Sequence, residues 1–303
     1  MTGAALETGD PSPMVALRRH SLPQGEKEAL VGAHESPWSD IGRRTLVMGI
    51  LNVTPDSFSD GGRFAALDAA IAQARRMATE GADILDIGGE STRPGHVPVS
   101  AEEEQARVLP AIRALVPALA IPISIDTYKA STARLALQAG ARIVNDVWGL
   151  QREPDIAYVA AERGASVVVM HNQERADASL DIIDELRRFF ERSLDIARRA
   201  GIRERDIVLD PGIGFGKTPE QQLAALRRVP ELKALGFPVL VGASRKSLLG
   251  HIAARDSAPA DRVAPSVAAH VLAATLGADI VRAHDVAQHV EALRVVDAVM
   301  RRP

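Results

Sequence analysis

The chain has 303 residues, of which 46% are hydrophobic but only 3% aromatic, so a sizeable core must be built from Ala, Val, Ile and Leu. The formal net charge of −3 argues against a nucleic-acid-binding protein, and the absence of Cys excludes disulfides and thiolate metal sites. No apolar run reaches the roughly 18 residues that a membrane span needs. We therefore expect a cytoplasmic protein with neither nucleic-acid nor membrane partners.

The first 44 residues differ in composition from the rest of the chain. They are rich in Pro and charged residues and contain no apolar segment of the kind that a secretory signal requires. A segment of this composition cannot bury enough apolar surface to offset the entropy of ordering. We predict a poorly ordered N-terminal extension over 1–44 and a single catalytic domain over 45–303.

Eight short apolar segments follow along the chain. Each is a continuous apolar run, which is typical of parallel strands that are buried on both faces. The segments are TLVMGIL (45–51), DILDIGGE (83–90), IPISID (121–126), RIVNDVWG (142–149), SVVVMHN (166–172), DIVLDP (206–211), FPVLVGA (237–243) and DIVRAHDV (279–286). Four of them come directly after a Gly-Ala pair, in which the Gly can end a helix in the left-handed conformation.

Stretches with helical periodicity separate these strands, for example at 66–80, 101–116, 129–139, 180–200 and 285–300. Strands that alternate with helices predict a parallel sheet, and eight such units predict a closed α/β barrel, a single-domain (β/α)₈ TIM barrel. The alternative is a doubly wound open sheet, which would carry a Gly-rich turn after its first strand. No such turn follows the first strand here.

Polar residues stand at the exits of all eight predicted strands. They are Asn52, Glu90 to Arg93, Asp126, Asn145, Met170 with His171, Asp210, Ser244 to Lys246, and Arg282 with His284. Because the functional residues of a barrel lie at the carboxyl ends of its strands, this pattern predicts a site at that rim. The cations that follow strands seven and eight indicate an anion-binding corner. Asp285 is either the N-cap of the last helix or a catalytic partner of His284, and we favour the N-cap.

The segment DPGIGFGKT (210–218) has two possible interpretations. It fails as a P-loop, because Pro211 stands where that motif requires Gly. Asp210 is then either a carboxylate that points into the barrel or part of an ordinary Asp-Pro-Gly turn.

Seven blocks occur in order over about 45–300: MGILNVTPDSFSDGG, DILDIGGESTRPG, ISIDTYK, IVNDV, DPGIGFGKT, GASRKS and RAHDV. They resemble the successive signature blocks of the dihydropteroate synthase family of pterin-binding barrels. The resemblance implies a transferase of folate biosynthesis, of the sulfonamide-target class. Such an enzyme condenses 6-hydroxymethyl-7,8-dihydropterin diphosphate with p-aminobenzoate to give 7,8-dihydropteroate and pyrophosphate. The resemblance also implies Mg²⁺ and a homodimer, and helices 180–200 and 260–275 look apolar on more than one face.

The resemblance assigns roles to individual positions. The implied pterin pocket consists of Asp126, Asn145, Met170, Asp210, Phe215 and Lys246. The implied diphosphate site consists of Asn52, Thr92, Arg93, Arg282 and His284, with Asn52 also the metal ligand. The implied p-aminobenzoate site consists of Pro55, Phe58, Thr92, Arg93, Pro94 and Ser247. The implied catalytic residues are Asp126, Lys246, Arg282 and His284. These residue types suit the substrate, since a carboxylate can accept two adjacent N–H groups of the pterin.

Two stretches depart from the family pattern, and two alternatives stay open. The last block reads Arg-Ala-His at 282–284, where the family usually shows Arg-Val-His. Residues 170–174 read MHNQE where the family commonly shows MHMQG, which puts the shape of that loop in doubt. A barrel module that presents methyltetrahydrofolate to a corrinoid methyltransferase would share the pterin contacts but would need no diphosphate anchor. A catalytically silent paralogue should have lost Asn52, Arg93, Lys246 or His284, and all four are present.

Overall fold

The structure is a computed structural model that describes Met1 and residues 36–54, 62–91, 97–253 and 257–301. Its strands are β1 (Leu46–Asn52), β2 (Ile84–Gly88), β3 (Ile123–Asp126), β4 (Ile143–Asp146), β5 (Ser166–Met170), β6 (Ile207–Asp210), β7 (Leu240–Val241) and β8 (Ile280–Ala283). All pairs are parallel, in the order β6-β5-β4-β3-β2-β1-β8-β7, and a single bridge between Leu209 and Val239 joins the two outer strands. The strands thus form a nearly closed barrel, which confirms the predicted (β/α)₈ fold.

Helices connect the strands on the outside of the barrel. They are α1 (Gly62–Thr79), α2 (Ala101–Leu115), α3 (Ala130–Gln138), α4 (Asp155–Glu162), α5 (Ile182–Ala200), α6 (Pro219–Arg227), α7 (Val229–Lys233), α8 (Ser247–Ile252), α9 (Val263–Thr275) and α10 (Val286–Met300). Two short 3₁₀ turns lie at Glu204–Asp206 and Pro259–Asp261. Among the described helices, none combines the length and the apolar character needed to cross a membrane.

The repeated Gly-Ala pairs end helices α1, α3, α4 and α9. The Gly of each pair has a positive φ, between 61° and 109°. In each pair the Ala N–H donates to the carbonyl five residues earlier, at 2.9–3.0 Å, and the Gly N–H donates to the carbonyl three residues earlier. These bonds satisfy carbonyls that the helix end would otherwise leave unpaired, and the left-handed residue turns the chain into the next strand. The sequence repeat is therefore a repeat of helix-to-strand junctions.

Trp38 lies in the interior of the barrel, at the end where the strands begin. It is 6% exposed and clusters with inward-facing side chains of the strands, among them Leu46, Met48, Ile84 and Ile280. These residues form a small apolar core of their own, while a larger core fills the space between strands and helices. One end of the barrel is thus closed by apolar packing, and the polar strand exits lie at the opposite end.

The contacts of Trp38 bear on where the catalytic domain begins. The boundary at residue 45 stays a prediction, and we expect two truncations to differ. Removal of residues 1–44 also removes Trp38 and should lower the free energy of unfolding by about 3–5 kcal/mol, the usual cost of deleting a buried large aromatic side chain. Removal of residues 1–35 should leave the free energy of unfolding nearly unchanged.

Urea unfolding of the two truncated chains, with Trp38→Ala in the full chain as control, would measure the difference in their unfolding free energies. Equal stability of the two truncated chains would place the boundary at residue 45.

Candidate active site

Polar side chains converge at the carboxyl ends of the strands around a cavity of about 550 Å³. Strand exits and their following loops supply its lining, so residues far apart in sequence meet there. The side chains with hydrogen-bonding groups in the lining include Asn52, Ser91, Asp126, Ser244, Arg245, Lys246, Ser247, Arg262, Arg282 and His284. The parallel barrel therefore brings together most of the polar exits that the sequence identified.

Arg282 is the centre of the buried polar network beneath this cavity. Its Nε donates to Asp86 Oδ2 at 2.6 Å, and its Nη2 donates to Asp126 Oδ2 at 2.7 Å. Asn145 Nδ2 donates to the same Asp86 oxygen at 2.9 Å. Asp86 is fully buried, and its Oδ1 has no partner among the described residues. One carboxylate thus orients both the arginine and the asparagine, and Nη1 of Arg282 has no hydrogen-bond partner among the described residues.

Asp126 lies at the end of β3 and is 7% exposed. Burial raises the pKa of Asp126 to about 7, and the nearby carboxylates of Asp86 and Glu104 add to the rise while Arg282 opposes it. The carboxyl group therefore changes charge near neutral pH, which suits a group that meets a changing charge on a substrate.

Asp210 ends β6 and is 4% exposed. Its Oδ1 accepts the backbone N–H of Gly212 at 2.7 Å. Burial raises the pKa of Asp210 to about 6, and the Gly212 hydrogen bond and the cations Arg282 and Lys217 act against that rise. One oxygen thus stabilises the Asp-Pro-Gly turn, and the other has no hydrogen-bond partner among the described residues. A ligand role for Asp210 stays a prediction.

The anion-binding corner lies where β7 and β8 end. Ser244 Oγ is 2.9 Å from His284 Nδ1 and accepts the His284 backbone N–H at 3.1 Å. Burial, with the charges of Arg245 and Arg282, lowers the pKa of His284 to about 3, so the ring is neutral. If the Ser244 hydroxyl donates to Nδ1, its one proton is used and the ring proton lies on Nε2. His284 then offers an N–H donor to an anion.

Arg245, which the sequence placed among the cations of the anion-binding corner, pairs with a carboxylate of the protein itself. Its Nε and Nη2 donate to the two carboxylate oxygens of Asp285 at 3.0 and 2.6 Å. Asp285 does precede α10, but its side chain makes no capping hydrogen bond. Asp285 is therefore the N-cap residue of α10, as expected, but its carboxylate pairs with Arg245 across the β7–β8 edge instead of capping the helix.

Asn52 ends β1 and reaches the space over Gly88. A Cβ added at Gly88 would lie 3.7 Å from Asn52 Oδ1 and 3.6 Å from Asp126 Oδ2. The two oxygens thus converge beside Gly88, where a Cβ would make only ordinary van der Waals contacts. The described part of the chain contains no cluster of three or more His, Cys, Asp or Glu side chains that could hold a metal ion by itself.

Besides Asp86, two buried lysines were missed as site residues by sequence reasoning. Lys129 contacts Glu90 and lies 3.2 Å from Glu104 Oε2, which also accepts from Thr132 Oγ1. Lys217 is 7% exposed and contacts His171 and the loop after β6. Charged residues that follow strands two, three and six were the available signal, but only the fold shows which charges meet.

The remaining predicted residues divide into two groups. Met170 is 3% exposed beside Asp210 in the sheet, Phe215 lies beneath Lys246 with Nζ 4.0 Å from the ring centroid, and Ser247 lines the cavity at the start of α8. The predicted residues Pro55, Phe58, Thr92, Arg93 and Pro94 lie outside the described residues. Their assigned roles stay predictions.

Comparisons with known proteins agree with this geometry. A family model described as pterin binding enzyme matches residues 48–284. A curated dihydropteroate synthase from Synechocystis is 51% identical over 269 residues, which cover 86% of this chain and 92% of that protein. A solved dihydropteroate synthase from Xanthomonas albilineans with 4-aminobenzoic acid has a TM-score of 0.83 at 47% identity and covers 88% of this chain and 100% of its own. A solved Clostridium difficile dihydropteroate synthase, crystallised with pteroic acid, has a TM-score of 0.84 at 50% identity, and the match covers 87% of this chain and 99% of that one.

The match thus spans nearly the whole length of these proteins and includes every strand of the barrel. The chain belongs to the dihydropteroate synthase family of pterin-binding enzymes.

Proposed function

We propose that this chain condenses 6-hydroxymethyl-7,8-dihydropterin diphosphate with p-aminobenzoate and releases pyrophosphate. One observation carries the proposal: the carboxylate of Asp126, the amide of Asn52 and the anion-binding corner with Lys246, Arg282 and His284 line the same cavity. A module that only binds methyltetrahydrofolate has no need of the anion-binding corner. We also propose a cytoplasmic location.

The pterin would bind to Asp210, Asn145 and Lys246. The free oxygen of Asp210 accepts N–H groups from the 2-amino edge, and the amide of Asn145 faces the ring from β4. Lys246 donates to the ring oxygen and nitrogen, while Phe215 packs beneath its ammonium group. Met170 contributes an apolar contact from the end of β5.

The chemistry requires that charge be stabilised at two places. The C–O bond to the diphosphate breaks, which leaves a pterin cation and an anionic leaving group, and the amine of p-aminobenzoate then attacks the cation. Asp126, which lines the cavity, would stabilise the cation. Arg282 through Nη1 and His284 through Nε2 would donate to the leaving diphosphate. Fixed donors and acceptors of this kind lower the barrier because they need no reorganisation during the reaction.

Mg²⁺ is the metal that we propose for this site, and Asn52 is the residue that would hold it. An amide oxygen is a suitable ligand for this ion, and Asn52 Oδ1 converges with Asp126 Oδ2 beside Gly88. Since the described residues offer no larger ligand group, most of the coordination would come from the substrate and water. The ion would supply positive charge to the diphosphate.

The decisive experiment measures pyrophosphate release from dihydropterin diphosphate with and without p-aminobenzoate. We expect release that depends on p-aminobenzoate and yields 7,8-dihydropteroate. Binding of the pterin without release would indicate a silent paralogue. Binding of methyltetrahydrofolate in preference to the diphosphate ester would indicate the methyltransferase module.

Substitution of His284 should separate the two ends of the cavity. We expect His284→Ala to leave the affinity for free pterin unchanged, because the ring contacts only the β7–β8 corner. The affinity for the diphosphate ester should fall by roughly tenfold to hundredfold, the usual loss for a hydrogen bond to a charged group. Calorimetry with pterin, pyrophosphate and the ester would measure this, with the exposed His251→Ala as control. A loss of free-pterin affinity would contradict the assignment.

We also propose a homodimer, formed by the exposed apolar residues of α9 and α10. Leu272, Val295, Val299 and Met300 are 48–66% exposed on these helices. The expectation that helix 180–200 is apolar on more than one face is wrong, because α5 buries one apolar face and covers the other with ion pairs. Sedimentation should show a dimer at micromolar concentration that Val295→Glu weakens. A monomer would overturn the proposal.

A further inference from the structure

Lys217 lies behind the pterin pocket rather than in it, and its ammonium group is almost completely enclosed. Only 7% of the residue is exposed. Its Nζ donates to the carbonyl of Gly212 at 3.0 Å and to that of Phe215 at 3.1 Å, and it lies 2.6 Å from His171 Nδ1. The His171 carbonyl lies further away, at 3.5 Å. Burial lowers the pKa of Lys217 to about 7, and the charge of Asp210 opposes that fall. In its charged form the ammonium group has three N–H donors, and the three nearer acceptors use all of them.

The hydrogen bond to Gly212 connects Lys217 to the pterin-binding carboxylate. The Gly212 carbonyl accepts from Lys217, and the Gly212 N–H donates to Asp210 Oδ1 at 2.7 Å. Gly212 has a φ of +66°, and a Cβ there would come within 2.0 Å of the His171 carbonyl oxygen. The turn is therefore tight against the end of β5, and Lys217 fixes the residue that holds one oxygen of Asp210.

The hydrogen bond to Phe215 connects the same ammonium group to the other side of the pocket. Phe215 lies under Lys246, whose Nζ is 4.0 Å from the ring centroid. Gly214 lies between the two anchored carbonyls, and a Cβ there would come within 3.0 Å of Lys246 Cδ. The loop over 211–217 thus positions both Asp210 and Lys246, and its two carbonyl anchors are held by one side chain.

His171 completes this arrangement as a neutral acceptor. Burial, followed by the charge of Lys217, lowers the pKa of His171 to about 2. Since Nδ1 accepts from Lys217, the ring proton lies on Nε2, which has no partner among the described residues. The ring packs edge-on against Phe189, with centroids 4.7 Å apart.

We propose that Lys217 is a positioning residue of the pterin pocket, which holds the loop over 211–217 in place and thereby fixes Asp210 and Lys246. The inference rests on the proposed function, because it concerns the pterin contacts of Asp210 and Lys246. The charged groups that face Lys217 and Asp210 are Lys246 at the start of α8 and Arg282 on β8, with neutral His171 on β5. Loss of the Lys217 charge should therefore allow Asp210 to take up a proton at higher pH.

The test uses Lys217→Met, which keeps the length of the side chain but removes the ammonium group. We expect the affinity for free pterin to fall at least tenfold at pH 7. As the solution is acidified, the pH at which half of the pterin affinity is lost, the pH midpoint, should be higher than in wild type. The affinity for pyrophosphate should stay unchanged, since Lys217 makes no hydrogen bond to His284 or Arg282. Lys233→Met, which removes a lysine paired with Asp279 at the opposite end of the barrel, is the matched control.

Restoration of the ammonium group provides a second, stricter comparison. Because the chain contains no Cys, Lys217→Cys would carry a single thiol. Alkylation of the unfolded chain with 2-bromoethylamine and refolding would replace the lysine by its thioether analogue. Wild type taken through the same steps is the control. We expect the analogue to regain most of the pterin affinity and the original pH midpoint.

The outcomes separate this inference from the proposed function. If wild type fails to bind pterin, the proposed function fails. If wild type binds and Lys217→Met lowers only the thermal stability, with pterin affinity and pH midpoint unchanged, the inference is overturned. ¹⁵N spectra of His171 in wild type test the contact without any substitution. A neutral ring protonated at Nε2 from pH 5 to 9 supports the inference, and a ring that titrates near pH 6.5 contradicts it.

Discussion

Replacement of Arg282 by Met is expected to abolish turnover and to destabilise the fold. The guanidinium lies between Asp86 and Asp126, which are both buried, and its removal leaves two carboxylates without their cation. Loss of one partner from a buried ion pair costs about 3–5 kcal/mol. Turnover should fall on the order of 10²-fold or more, because the diphosphate also loses a donor.

The loss of stability in Arg282→Met should depend on pH, and its sign follows from Asp126. Burial raises the pKa of this carboxyl to about 7 even with Arg282 present, and removal of the opposing cation raises it further. A raised carboxyl pKa destabilises the fold when the group is charged, and the penalty disappears as the pH falls and the group takes up a proton. The loss of unfolding free energy in Arg282→Met, relative to wild type, should therefore be larger at pH 8.5 than at pH 5.5.

Urea unfolding of wild type and Arg282→Met at both pH values would measure this dependence. Arg198→Met is the control, because the Arg198–Asp195 pair lies on the surface, with side chains 70% and 39% exposed. An exposed pair of this kind contributes less than about 1 kcal/mol. Arg282 does not compensate buried charge if its replacement lowers the unfolding free energy as little as Arg198→Met does. The same conclusion follows if the loss is equal at the two pH values.

Asp210→Asn is expected to weaken the binding of free pterin and of its diphosphate ester equally. The amide oxygen can still accept from Gly212, as Oδ1 does now at 2.7 Å. The amide nitrogen then faces the N–H groups of the pterin, so donors oppose donors. Loss of the charged acceptor should cost about 2–3 kcal/mol, which is roughly 30- to 160-fold in affinity.

The pH dependence of pterin binding provides an independent check on Asp210. Burial raises the pKa of this carboxyl to about 6, so wild type should bind well above that pH and lose affinity as the pH falls through it. The Asn variant should lack this part of the pH dependence. Asp206→Asn, which changes a buried carboxylate at the opposite end of the same strand, is the matched control. If calorimetry shows the same pH dependence in Asp210→Asn as in wild type, another group controls the pterin affinity.

Much of the fold could be predicted from the sequence, because the relevant signals are local. Continuous apolar runs marked all eight strands, and the Gly-Ala pairs at residues 81, 140, 164 and 277 marked helix ends by a backbone requirement that few residues other than Gly meet. The barrel rule then placed Asp126, Asp210 and Arg282 at one rim without knowledge of any contact.

The residues that the sequence did not reveal depend on contacts between distant segments. Asp86 lies in the middle of an apolar run, and nothing local indicates that its carboxylate meets Arg282, which is 196 positions away. Arg245 and Asp285 pair only because β7 and β8 are neighbours. Trp38 belongs to a segment too short to show periodicity, so its burial inside the barrel could not be expected.

The single bridge between Leu209 and Val239 has a consequence for how the barrel opens. β7 contributes only two residues to the sheet, and this one bridge joins it to β6, whereas every other strand pair is a longer ladder. Spontaneous local unfolding should therefore begin between β6 and β7, where backbone amides exchange with solvent most readily. Asp210 lies on one side of that opening and Lys246 on the other, so a pterin that contacts both would connect the two sides. Substrate binding and closure of the barrel would then be thermodynamically coupled, and occupancy of the pocket would slow amide exchange at Leu209 and Val239.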